Sequence, residues 1–101
     1  MHSNDAQMLV LTVLAGGPLH GYAINTAIEG LTGRRLGPGS LYGALSRLEA
    51  RELIRAVDQA ATDRHRTLAI TDAGRNQLGA ELQQMARVSA AGLRALGVAP
   101  A

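Results

Sequence analysis

The sequence predicts a mainly α-helical chain carrying one small β-hairpin, on three observations. Apolar residues recur at three- and four-residue spacing in four segments, two short segments before the last of these read as strands, and Gly, Pro or polar stretches punctuate the chain. With 101 residues and 47% hydrophobic content, the chain makes one domain with a single modest core. It has no Phe or Trp, so apart from Tyr22 and Tyr42 the core must be built from Leu, Ile, Val, Met and Ala. Such a composition favours helices packed closely through small residues.

A first helix is expected from about Ala6 to Ala15, its stripe made of Leu9, Val10, Val13 and Leu14 and its start capped by Ser3, Asn4 or Asp5. "GGP" at 16–18 ends it. A second helix is expected from about Gly21 to Leu31, with Ala23, Ile24, Ala27, Ile28 and Leu31 turned inward. "TGRRLGPG" breaks the pattern, and Leu36 is expected to form a short bridging strand. Leu41, Leu45 and Leu48 define a third helix ending near Arg51. "LIRAVD" and "RTLAIT" read as paired strands joined by the polar "QAATDRH". Thr71 is expected to cap a last helix, with Asp72 in the first turn where the dipole favours an acid. That helix runs to about Leu96.

The composition weighs against several function classes. Without cysteine there are no disulfides, thiolate metal sites or cysteine nucleophiles. His2, His20 and His65 are scattered, no acid pair or nucleophile–base spacing stands out, and no phosphate-binding loop is present. Neither an enzyme nor a metal or cofactor site is expected, and His20 reads as a cap or packing residue. "MLVLTVLA" is too short to span a bilayer, so the expected protein is soluble and cytoplasmic, without a membrane partner.

The third helix carries the functional reading. At about 100° per residue, Gly43 and Ala50 lie opposite the leucines, flanked by Gly39 and Ser46 on one side and Ser40 and Arg47 on the other. A helix facing water normally fills that side with long charged residues. A bare face with hydroxyls and one guanidinium instead suits a DNA major groove. The competing reading is that this face packs on another helix of the chain.

The order helix, helix, helix, hairpin, helix is that of a winged helix-turn-helix, whose third helix enters the groove. A wing should carry basic residues, and Arg64, His65 and Arg66 supply them. The alternative is a solvated loop whose arginines are partly offset by Asp58 and Asp63. All ten basic residues are arginine, which suits phosphate and guanine but equally fits a genome that encodes arginine where lysine would serve.

Three stretches in register, "GPLHGYAI" at 17–24, "LGPGSLYGALSRLEARELI" at 36–54 and "RHRTLAITDAGR" at 64–75, resemble the PadR-like transcriptional regulators. That family's patterns are HGY, then S-P-G-T-L-Y-x-x-L-x-R-L-E, then a wing ending in L-T-x-x-G. The similarity spans roughly residues 8–76. It implies a winged-helix domain over 1–71, a C-terminal dimerisation helix over 72–101, a homodimer, and operator binding that usually represses. Carried over by motif, Tyr22 stands at the DNA-facing end of the second helix, and Gly39, Ser40, Tyr42 and Arg47 lie on or beside the recognition surface. Relatives are commonly released by a small-molecule effector, whose identity the chain does not specify. The chain departs from the pattern at Gly37 (family serine), at Gly43 (often proline), at the wing tip, and in lacking a tryptophan in the last helix.

That last helix cannot bury its stripe against a domain already closed by three helices and a wing. Leu78, Leu82, Met85, Ser89, Leu93 and Leu96 are therefore expected to meet a partner helix of a second copy, with packing inside the chain as the alternative. The predicted function is sequence-specific binding of a palindromic operator in double-stranded DNA. The rival reading is a winged-helix protein–protein interaction module.

Overall fold

The computed structural model of the chain describes residues 3–58 and 65–98. The elements run α1 (Ser3–Ala15), β1 (Leu19–His20), α2 (Gly21–Thr32), α3 (Pro38–Ala50), β2 (Ile54–Ala56), β3 (Thr67–Ile70) and α4 (Asp72–Ala95). The chain is thus mostly helical with a small antiparallel sheet, as the sequence predicts.

Helix α1 is the hub, packing on α3, α2, β3 and the start of α4. It begins at Ser3, so Asp5 sits inside its first turn instead of capping it. Its buried residues are Ala6, Gln7, Val10, Leu11 and Leu14. Leu9 and Val13 are only half-buried, so the inward stripe is rotated from the expected one. In α2 the stripe of Ile24 and Ile28 is fully buried, but Leu31 is 57% exposed. Leu31 shares their face, yet it stands in the last turn, beyond the reach of the core. In α3 the expected Leu41, Leu45 and Leu48 are joined in the core by Ala44. Each large aliphatic side chain buried here stabilises the fold by about 1.5–3 kcal/mol.

The turn between α2 and α3 is held by one side chain. Gly33 ends α2 in the left-handed conformation (φ 80°), its N–H reaching Glu29 O at 2.8 Å. Asn25, buried in α2, then donates through Nδ2 to Leu36 O (2.7 Å) and accepts from Leu36 N–H through Oδ1 (2.8 Å). Both peptide groups of Leu36 are satisfied in this way, so Leu36 forms no strand. The bridging strand is instead Leu19–His20, which lies along the free edge of β3.

The sheet order is β1-β3-β2, with Leu19 opposite Leu68 and Ile54 opposite Ile70. Gly21 N–H donates to Arg66 O at 3.0 Å, extending the β1–β3 ladder into the first residue of α2. At the root of the β2–β3 pair, Val57 N–H reaches Thr67 O, and Thr67 N–H reaches Asp58 Oδ1 (both 2.9 Å). Most of the expected connection, residues 59–64, lies outside the described residues.

Thr71 caps α4 as expected, its Oγ1 accepting from Gly74 N–H (3.0 Å) while donating to Glu52 O (2.8 Å). The cap therefore also ties α4 to the chain leaving α3. Helix α4 has 24 residues, about 36 Å long. Its buried residues, Gly74 and Leu78, both lie in its first two turns. Beyond them it projects, and the molecule measures 52 × 26 × 21 Å.

Candidate nucleic-acid interface

Helix α3 begins with Gly37 at the N-cap and Pro38 at its first position, where a missing N–H costs nothing. Its four inward apolar residues fix the rotation of the helix and turn Gly39, Ser40, Ser46, Arg47 and Ala50 to solvent. Gly43 is half-buried, but by no other described element. A methyl built on it would meet a single atom within 4 Å, Arg47 Nη1 at 3.1 Å, and one on Gly39 would meet nothing. Among the described residues, then, nothing packs on the bare face.

Beside it lies Tyr22, 48% exposed at the start of α2. The His20 ring stacks on the Tyr22 ring (centroids 5.2 Å, planes 9° apart), and the His65 ring tilts towards Tyr22 at 6.2 Å and 58°. His20 Nδ1 lies 3.2 Å from both His65 O and Thr67 Oγ1. His20 is thus a packing residue at the helix start, making no side-chain cap of its own. This cluster brings the sequence-predicted Tyr22 and His65 together and joins α2 to the root of the wing. Tyr42 is half-buried against the core. With Tyr22, Arg35, Pro38 and Leu41 it lines a shallow cleft of about 190 Å³ between α2 and α3.

Arg66 differs from the sequence expectation. Its guanidinium grips the Glu49 carboxylate in a two-pronged ion pair, with Nη1 3.1 Å from Oε2 and Nη2 on Oε1. Both side chains are less than a third exposed. Arg66, immediately before β3, is accordingly a strut onto α3, and it neutralises the one acid in α3. A carboxylate beside the bare face would otherwise repel phosphate. Arg64 lies outside the described residues. Arg51, at the end of α3, turns away and donates to Gln7 Oε1 on α1 at 3.0 Å.

The expected dimer residues divide. Leu78 is 5% exposed and belongs to the core of its own chain, a correction that follows from α4 docking on α1 through its first two turns. Leu82 (41%), Met85 (50%) and Leu96 (79%) are exposed, as is Ser89, and Leu93 is half-buried. Val88, 63% exposed, joins them. Sequence reasoning missed the Asn25 clamp and the Glu49–Arg66 strut. Asn25 had a signal, a polar residue on the inward face of α2 beside Ile24 and Ile28. Glu49 had none, because its partner is seventeen residues away in another element.

Among the described residues no helix is long and apolar enough to cross a membrane. Comparison with known proteins places the chain. A Streptomyces fradiae protein, described as an uncharacterized 37.1 kDa protein in transposon TN4556, is 60% identical over 89 residues, covering 88% of this chain. The chain spans a quarter of that relative's length. A PadR-like transcriptional regulator from Bacillus cereus shares the fold, with 23% identity, a TM-score of 0.78 and 92% of each chain covered. A winged-helix DNA-binding protein from STIV shares it at 21% identity and a TM-score of 0.64, covering 84% of this chain and 88% of the other. The family model "Transcriptional regulator PadR-like family" matches residues 10–80. That match contains the whole sheet and α3 with its solvent-facing side, and the chain belongs to the PadR-like family of transcriptional regulators.

Proposed function

We propose that the protein is a sequence-specific DNA-binding regulator, acting as a repressor, that binds a palindromic operator in double-stranded DNA as a homodimer in the cytoplasm. The observation that carries this reading is the outer face of α3: small, hydroxylated, singly basic and covered by no other described element of the chain. Gly39, Ser40, Gly43, Ser46 and Arg47 enter the major groove, where glycine lets the backbone approach base edges. Tyr22, Tyr42 and the wing residues Arg64 and His65 flank the groove and meet the sugar–phosphate backbone. Arg66 acts indirectly, by holding the wing root on α3.

Residues 1–71 form the DNA-binding part, and 72–101 the dimerisation helix. Past Leu78, α4 presents Leu82, Met85, Val88 and Leu96 to solvent on a projecting rod. A second copy, packing helix against helix, removes that apolar surface from water and spaces two α3 helices along one face of the duplex. No catalytic step or cofactor is part of this reading.

The test compares wild type with Gly43→Leu. Wild type should retard duplex DNA with an affinity that falls steeply with salt, and sediment as a dimer at micromolar concentration. Gly43→Leu should lose DNA binding while its melting temperature stays within a few degrees of wild type. If Gly43→Leu unfolds, the face has a packing role. If wild type ignores DNA at low salt yet dimerises, the module binds another protein instead.

A further inference from the structure

Among the described residues, Arg47 carries the one charge on α3 with no ion-pair partner. Glu49, the other charged residue of the helix, is held by Arg66. Helical side chains lean towards the N-terminus of their helix. Arg47 does so here, and its Nη1 stands over Gly43, 3.1 Å from where a Cβ would be. Four residues correspond to about 6 Å along the axis. The guanidinium therefore sits over the middle of the bare face, between Ser40 and Ser46, not near the end of the helix where its own Cα lies. Any side chain at position 43 would occupy the space next to it.

We propose that Gly43 is a seat that holds the Arg47 guanidinium close against α3, and that Arg47 is the residue that determines specificity by reading one guanine in each half-site. This rests on the DNA-binding reading above. The chemistry is that of a forked donor: two guanidinium N–H groups match guanine O6 and N7 in the major groove, and no other base presents two acceptors there. Holding a long side chain in place before binding reduces the freedom lost on contact. Ser40 and Ser46 accept or donate to any base, so they add little discrimination. The glycine in mid-helix, unfavourable by about 1 kcal/mol against alanine, is in this view kept for the side chain one turn later.

Selection of bound sites from a random duplex pool tests this and needs no known operator sequence. Wild type should select a two-fold motif with one guanine position per half-site, and Arg47→Ala should select the same motif with that position open. Affinity of Arg47→Ala for the guanine-bearing site should fall about 5- to 150-fold, the range of one good bidentate base contact. Arg47→Lys should restore part of the affinity but not the preference, since an ammonium lacks the fork. Gly43→Ala should weaken the guanine preference with no loss of melting temperature.

Three results with the variants overturn the proposal. The guanine preference survives in Arg47→Ala, or it is unchanged in Gly43→Ala. Alternatively, Arg47→Ala weakens all sequences alike and lowers the salt slope by about one, which marks a phosphate contact. A wild type that retards DNA but selects no motif defeats the guanine reading alone, whereas one that fails to bind duplex DNA defeats the DNA-binding reading beneath it.

Discussion

Gly74 faces Leu53 so closely that a Cβ at position 74 would lie 2.1 Å from the Leu53 carbonyl oxygen and 2.7 Å from Ile70 Cγ1. The contact sits where α4 starts against the chain leaving α3, beside the Thr71 cap. A backbone carbonyl cannot swing aside as a side-chain tip can. Gly74→Ala must therefore push α4 off the domain, and a cost of about 3 kcal/mol is expected. Thermal melting at fixed protein concentration should show a fall on the order of 15 °C. A change of only a degree or two would mean that the contact relaxes cheaply.

Asn25 is the second position where one residue pair decides the fold. Replacing it with leucine keeps the volume but strands the N–H and C=O of Leu36 in a buried turn. Each unsatisfied group costs about 1–3 kcal/mol. Asn25→Leu should destabilise by roughly 3 kcal/mol in urea titration, and Asn25→Asp should also destabilise, because a carboxylate oxygen would face the Leu36 carbonyl where Nδ2 donates.

The Glu49–Arg66 strut separates stability from wing placement. Both side chains are less than a third exposed, so a coupling of about 1 kcal/mol is expected from a double-mutant cycle with Glu49→Gln and Arg66→Gln. Amide hydrogen exchange should quicken at Thr67 and Val57 in either single variant, while the amides of α1 stay protected. A coupling near zero would show that the pair orders nothing.

Gly37 stands at the N-cap of α3 with an ordinary extended backbone (φ −63°, ψ 156°) and open space around it. Nothing in the geometry requires glycine there. Gly37→Ser adds a hydroxyl able to accept from the orphan N–H groups of the first turn, and it also restricts the unfolded chain. Stability should rise by about 0.5–1 kcal/mol in urea titration. A fall in stability would mean that position 37 carries a steric or backbone demand.

The four helices, the Thr71 cap and the two longer strands were legible because each leaves a local trace: a 3.6-residue period, a hydroxyl before an acid, alternation. The chemistry of the bare α3 face was legible for the same reason. Strand β1 was not, because two residues carry no period, and their pairing depends on β3 lying alongside. Leu36 misled because an isolated apolar residue between glycines reads as extended, whereas Asn25, eleven residues earlier, takes both its peptide groups. Arg66 was read as a free basic group since sequence shows charge but not partners.

Sequence alone determined which residues form helices and which side of α3 is bare, because both depend on neighbours within one or two turns. Only the tertiary structure decided how those pieces are used. It committed Arg66 to Glu49 and Leu78 to the core, set Arg47 over Gly43, and left Leu82, Met85, Val88 and Leu96 exposed among the described residues. The physical reason is that burial, hydrogen bonding and ion pairing depend on distance in space, and hydrogen bonds here join positions as far apart as Ala15 and Arg75.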